Sequence, residues 1–298
     1  MIWLIGNKGM LGSEVERLLK KNNLTFLSSG REVDVTDYSA IERHGREKKI
    51  EWIVNCSGYT NVNKAEEERE SAFRVNREGV KNISLYCLKR KAKLIHISTD
   101  YVFKGNKKES CGYGENDKVN PLSVYGKSKL AGEVEIKKIL DEYFIVRTAW
   151  LYGLNGNNFV STLLRLFREK KVIRVVDDQW GSPTYVVDLA GVILQIIKSG
   201  SDKFGIYHFT NEGVVNRYEF ARAIYDRAER LNLLSENRKV EIKPIETREY
   251  PTAAIRSKYS VLSKDKIKKE FNLKIRNWDI ALEDFLFLLK IKKEKQKR

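Results

Sequence analysis

Short apolar or β-branched runs alternate with longer stretches of helical periodicity through the first half of the chain. Ile2 to Ile5 reads as a strand, and Leu11, Val15, Leu18 and Leu19 then recur at the spacing of one helix face. Further strands are expected at Thr25–Leu27, Trp52–Asn55, Leu94–Ile97 and Phe144–Val146, each parted from the next by a segment of helix-like periodicity or charge. Such alternation predicts a parallel sheet with helices on both faces. Right-handed crossovers leave it few topologies.

After about Trp150 the pattern changes. Gly153, Gly156, Asn157 and Asn158 gather ahead of an amphipathic helix near Val160–Lys170, and a strand at Val172–Val176 leads into the turn-rich run Asp178-Gln179-Trp180-Gly181-Ser182-Pro183-Thr184. Helices are expected at about 185–198, 217–231 and 278–289. The reading is a doubly wound α/β chain with a smaller α/β lobe packed against the first. Residues 1–149 with about 183–205 would form one unit, about 150–182 with 206–289 the other, and 290–298 a basic tail.

Composition narrows the class. Of 298 residues, 42% are hydrophobic and 32% charged, an ordinary globular balance. No apolar stretch approaches the roughly 18–20 residues of a membrane span, and the first strand lacks the basic start and longer apolar run of a secretory signal. A cytoplasmic protein with no membrane partner is expected. Cys56, Cys87 and Cys111, like His44, His96 and His208, are scattered without metal-ligand or disulfide spacing, so no metal is expected. The formal charge is +16, and the last nine residues hold six basic side chains against one acidic. No stretch interleaves aromatics with Lys and Arg as a nucleic-acid surface would. The tail therefore reads as frayed and solvated, and nucleic acid is not an expected partner.

Candidate chemistry begins at Gly6-Asn7-Lys8-Gly9-Met10-Leu11-Gly12, placed directly between the first strand and the first helix. Gly6 permits the tight turn, Gly9 lets backbone amides approach a pyrophosphate, and Gly12 lets the helix pack close to the sheet. The helix N-terminus then offers unpaired N–H groups to the anion. Near the end of the second strand stand Ser28, Ser29, Gly30 and Arg31, not the acidic residue that would bond a ribose 2′-hydroxyl. Arg31 suits a 2′-phosphate, so NADPH is the expected cofactor with NADH as the lesser donor. Asp34 lies a little further on, toward the adenosine end.

Tyr125 and Lys129 stand four apart after Pro121, one turn apart on one helix face. A phenol of ordinary acidity is a poor acid or base near neutrality, and a neighbouring ammonium would move its pKa toward working pH. The run Leu94 to Tyr101 is a strand ending in hydroxyls at Ser98 and Thr99, and on an open parallel sheet that end faces the ligand crevice.

The sequence resembles the dTDP-4-dehydrorhamnose reductases, a group of extended short-chain dehydrogenases with a Rossmann-like fold. The resemblance runs to about Leu289 and is carried by the Gly6–Gly12 turn, Val54 to Thr60, Val75-Asn76, Ser98 to Phe103, Tyr125 to Glu133, Arg147 to Trp150, Gly156 to Phe159 and Asp178 to Thr184. It implies reduction of a nucleotide-linked 4-keto sugar. Tyr125 would be the proton donor, Lys129 its partner and a ribose anchor, and Thr99 the carbonyl partner. Asp100, Tyr101 and Trp150 match positions around the sugar. Lys8, Gly9, Met10, Asp34, Val35, Ser57, Gly58 and Thr60 match cofactor contacts. Arg256 is the candidate for the substrate diphosphate, and a homodimer is compatible with the resemblance. Asn63 stands where relatives usually carry Asp, and 103–121 looks individual.

Rival readings keep the same fold. A 4,6-dehydratase needs a glutamate after the acid of the strand end, and Tyr101 occupies that place. An epimerase, a reductase giving the other C4 epimer, and a non-catalytic regulatory subunit of the kind that serves methionine adenosyltransferase remain open on sequence.

Overall fold

Strand residues in the first half are apolar at successive positions, so both faces of each strand must be covered. The structure, a computed structural model, describes residues 1–107, 112–234 and 239–297. Cys111 and Arg298 lie outside these residues. The chain forms β1 (Ile2–Ile5), α1 (Met10–Lys21), β2 (Phe26–Ser29), α2 (Tyr38–Gly45) and β3 (Trp52–Asn55). It continues through α3 (Arg69–Phe73), α4 (Val80–Arg90), β4 (Lys93–Thr99), α5 (Val124–Ile139) and β5 (Tyr143–Thr148). The second half holds β6 (Leu151–Tyr152), α6 (Phe159–Glu169), β7 (Val172–Val176), β8 (Trp180–Gly181), β9 (Thr184–Tyr185), α7 (Val186–Ser199) and β10 (Gly205–His208). Then come β11 (Val215–Asn216), α8 (Arg217–Arg230), β12 (Glu241–Ile245), α9 (Asp265–Phe271) and α10 (Trp278–Lys297).

The main sheet has the order β10-β5-β4-β3-β1-β2, and every pairing in it is parallel. Alternation along β1 sends Ile2 and Leu4 into one core cluster and Trp3 and Ile5 into the other, which is why all four are buried. The strand order reverses between β1 and β3, so a crevice opens beyond their carboxyl ends. Two-stranded ribbons (β6 with β9, β7 with β12, β8 with β11) and α6, α8 and α10 build the second half beside that crevice. The strand β10, at 205–208, is the sixth strand of the main sheet.

Two expectations shift. The strand expected at Thr25–Leu27 runs instead from Phe26 to Ser29. The Ser29 hydroxyl accepts from the Trp3 indole N–H at 3.0 Å, so a buried polar residue extends the strand where a polarity reading ends it. The helix expected to end near 289 continues to Lys297, so the basic segment is helical, not frayed. Nothing between 278 and 297 is Gly or Pro, and Lys, Glu and Gln are good helix formers.

The deepest charged contact joins α5 to the sheet. Glu133 receives Arg147 Nε at 2.9 Å and Nη2 at 2.6 Å, and it also accepts from Ser98 Oγ on β4. Both charged side chains are buried, so removing one strands the other in an apolar interior. Arg147→Met is expected to lower the unfolding free energy by about 3–5 kcal/mol in urea denaturation. A loss under about 1 kcal/mol would show that the pair is not what locks α5 to the sheet.

Candidate active site

The glycine turn is built as its spacing demands. Gly6 has φ +84, and a Cβ there would meet Ser57 N at 2.8 Å. A Cβ on Gly12 would lie 2.0 Å from the Gly6 carbonyl oxygen, so α1 sits flush against the turn. Gly9 caps α1 without any side-chain hydrogen bond, which leaves the first-turn amides to face the crevice. Gly12 supports the turn from behind and is not among the residues lining the crevice, whereas Gly6, Lys8, Gly9 and Met10 are.

The crevice is one cleft of about 1630 Å³. It brings together the turn, Arg31, Asp34 and Val35 after β2, and Ser57, Gly58 and Thr60 after β3. It also gathers Thr99, Asp100 and Tyr101 after β4, Tyr125 and Lys129 on α5, and Trp150 and Arg256 from the second half. Asp34 Oδ1 accepts from Thr36 N at 2.9 Å and Thr36 Oγ1 at 2.8 Å, which holds its carboxyl below the usual range. Glu32, which the sequence reading passed over, accepts from Gly30 N at 2.6 Å and pairs with Lys8 at 3.4 Å.

At the centre, Ser123 caps α5 by accepting from Gly126 N at 3.1 Å, which sets Tyr125 in the first turn facing β4. The Tyr125 phenol and the Thr99 hydroxyl face one another beyond the end of β4. The Tyr101 ring stands edge-on to Tyr125 with centroids 5.4 Å apart. Burial pushes the Tyr125 phenol up, the Thr99 hydroxyl only partly opposing it. The expected lowering by Lys129 is therefore not what this arrangement produces. The Lys129 amine turns instead to Ile97 O at 2.7 Å and His96 Nε2 at 3.2 Å, and burial brings it down to about 8.

The far end of the cleft is cationic and aromatic. Trp150 has φ +48, a left-handed conformation rare for a bulky side chain. Its indole lies under Arg217, with Cζ 3.5 Å from the ring centroid, and a Cβ on Gly181 would meet it at 2.7 Å. Arg217 opens α8 and lines the cleft with Gln179, Tyr250 and Thr252. These four were not singled out from sequence. For Arg217 the available signal was its place at a helix start after an Asn cap, which carries no hint of a tryptophan far away in sequence. Burial brings Arg217 down to about 10, so it stays charged near neutrality. The Arg256 Nε is buried without a hydrogen-bond partner among the described residues.

Asp100 is buried between these groups. Burial pushes its carboxyl up to about 6, opposed by hydrogen bonds from Ser260 and Thr99 and by Arg217. A folded-state pKa above the unfolded value means that the native protein binds more protons between roughly pH 4 and 6. This group's contribution to stability therefore falls as pH rises through that window.

Comparison with known proteins adds the following. The model of the RmlD substrate binding domain matches residues 1–290. The chain is 38% identical to dTDP-4-dehydrorhamnose reductase of Aggregatibacter actinomycetemcomitans, over 94% of this chain and 96% of that protein. It is 34% identical to dTDP-4-keto-6-deoxy-D-glucose reductase of Streptomyces niveus, over 94% of each. The fold is similar to the crystal structure of dTDP-4-dehydrorhamnose reductase from Bacillus anthracis in complex with NADP. The TM-score is 0.89 at 37% identity, covering 96% of this chain and 98% of that one. Among the described residues no helix is long and apolar enough to cross a membrane.

Asp100→Asn removes the desolvation cost of a buried carboxylate. It is expected to raise unfolding stability at pH 7 by about 1–3 kcal/mol, with the gain vanishing at pH 4, where the native carboxyl is already protonated. Urea denaturation at the two pH values reads the difference, and an equal change at both would refute the assignment.

Proposed function

The chain belongs to the RmlD substrate-binding domain family over residues 1–290, and on that premise we propose that it reduces the 4-keto group of dTDP-4-dehydro-L-rhamnose to dTDP-L-rhamnose with NADPH. The observation that carries the reading is the meeting, in one cleft, of a glycine turn after β1, a strand-end hydroxyl and a buried phenol. Residues 1–149 with about 183–208, which brings β10 into the main sheet, serve as the cofactor unit. Residues about 150–182 with 209–289 serve as the sugar-nucleotide unit.

The residues fit a dinucleotide. The bare Cα of Gly9 and the unpaired amides of α1 suit a pyrophosphate, and any side chain at Gly6 or Gly12 would collide with backbone. Lys8 and Arg31 sit at the β1 and β2 ends, where a 2′-phosphate would need cations. Asp34, Val35, Ser57, Gly58 and Thr60 line the path from there toward Lys129, whose amine would hold ribose hydroxyls. When bound, a reduced nicotinamide supplies the hydride.

This chain's own residues then manage the proton. Burial keeps Tyr125 protonated, the form a donor must have, and its Oη gives that proton to the C4 oxygen as the carbonyl becomes an alcohol. Thr99 Oγ1 donates its one proton to Asp100 Oδ1 at 3.0 Å, and it must turn that proton from Asp100 to the C4 oxygen to share the carbonyl with Tyr125. Trp150 and Tyr101 line the part of the cleft where the sugar would lie. Arg256, whose Nε has no hydrogen-bond partner among the described residues, lines the cleft with Arg217 and would take the diphosphate.

Tyr125→Phe is expected to cut turnover by about 100-fold or more while leaving NADP⁺ binding intact. Following reduced-nicotinamide absorbance with dTDP-4-dehydrorhamnose reads this directly. A variant keeping a tenth of wild-type turnover would end the proton-donor assignment. Arg31→Ala should lower the NADPH-over-NADH preference in kcat/KM by about tenfold, the worth of one charge-assisted hydrogen bond. An unchanged ratio would place the 2′-phosphate elsewhere.

A further inference from the structure

Lys129 has a neighbour whose protonation can be worked out from its own hydrogen bonds. His96 is fully buried in β4, with Nδ1 3.1 Å from Asn55 Nδ2 and Nε2 3.2 Å from the Lys129 amine. The Asn55 amide has one orientation available. Its Oδ1 accepts from the Ser57 backbone N–H at 3.0 Å and from Ser57 Oγ at 2.6 Å, and turning it over would set an NH₂ against a backbone N–H. Nδ2 can only donate, so His96 Nδ1 must accept and carries no proton. A neutral imidazole then holds its proton on Nε2, pointing at Lys129. An imidazolium is excluded by the same Asn55 donor, and burial lowers this histidine well below its usual range.

An ammonium at Lys129 would face that N–H donor to donor. An amine does not: it donates to Ile97 O at 2.7 Å and accepts from His96. We propose that His96 is a positioning residue that presents an N–H to Lys129 and favours its neutral amine, so that seating a dinucleotide beside Lys129 draws a proton onto it. The inference rests on the cleft being a dinucleotide site. Ribose hydroxyls arriving at Lys129 supply the acceptors that His96 does not, and the phosphates further along the cleft add negative charge.

The other groups around Lys129 leave this balance in place. On its own helix, Glu133 favours the ammonium but is held by Arg147 of β5 and Ser98 of β4, and Tyr125 stays protonated. From the loop after β3, burial pushes the Cys56 thiol up to about 12, so it stays neutral. With the free amine near 8 and the bound one returned toward its ordinary value, proton uptake is small at pH 7 and largest near pH 9.

The first measurement is histidine ¹⁵N NMR of the full chain, which has three histidines, with His96 assigned by its loss in His96→Asn. A neutral Nε2–H tautomer supports the proposal, and an Nδ1–H tautomer or an imidazolium overturns it. The second is NADP⁺ affinity against pH in a Tyr125→Phe background, where the phenol cannot titrate. Above pH 8 the apparent Kd should weaken by up to about tenfold per pH unit. In His96→Asn, which keeps an acceptor for Asn55 but removes the N–H aimed at Lys129, the onset should move up by about one unit. An unmoved onset overturns the proposal. Failure of NADP⁺ to bind at any pH would instead remove the dinucleotide reading, with the tautomer still deciding the His96–Lys129 pairing.

Discussion

The centre of this molecule depends on α5 keeping a fixed position over β4 and β5, and one buried ion pair does most to set it. Glu133 takes two of the three Arg147 side-chain nitrogens and the Ser98 hydroxyl, so helix and two adjacent strands meet at a single carboxylate. Ser98 and Arg147 are register partners across β4 and β5, which places their side chains side by side under the helix. A sliding helix would break three polar contacts between buried groups. Hydrophobic packing alone tolerates small slips; this arrangement does not. Thr99 is one residue beyond Ser98, Lys129 is one turn before Glu133, and Tyr125 is one turn before that. The pair that holds the helix therefore also sets the distance between the strand-end hydroxyl and the phenol.

Function is held in place at a cost to stability, visible at particular residues. Asp100 is a carboxylate kept in a dry site, and Trp150 has backbone torsions that most side chains avoid. Gly181 gives up a side chain so that the indole can lie flat, and Arg217 stacks on its face. None of these helps the chain fold. Each turns a group toward the cleft, and the two large apolar clusters on either side of the sheet supply the stability that offsets them.

Much of this was legible in the sequence where a local pattern has only one use. The glycine turn, four of the five strands read in the first half, and the Tyr125–Lys129 spacing depend on neighbours within a dozen residues, and the parallel sheet follows from their alternation. The pieces that escaped depend on partners far along the chain. Ser29 belongs to a strand because of Trp3, and Arg217 matters because of Trp150. His96 looks like a stray polar residue in an apolar strand until Asn55 and Lys129 are placed around it. The direction of the Tyr125 shift escapes for the same reason: spacing shows that a lysine is near, but not how deeply the fold buries the phenol. The basic segment was misread in the opposite sense, since charge suggested solvation while the absence of any helix breaker let α10 continue.

Charge along the cleft completes the picture. Lys8 and Arg31 lie at the β1 and β2 ends, and Arg217 and Arg256 at the opposite end against Trp150 and Tyr101. Between them burial favours the neutral form of each titratable group: a phenol kept protonated, a buried thiol, the Asp100 carboxyl brought up to about 6 and the Lys129 amine brought down to about 8. Two anionic ligands entering such a cleft are drawn to its two ends, and only their uncharged parts are left to meet at the centre. In a low-dielectric middle a single proton transfer is felt strongly, because little else there can screen it. The overall +16 has small bearing on this. What matters is that the cations stand at the ends and that burial disfavours charge between them.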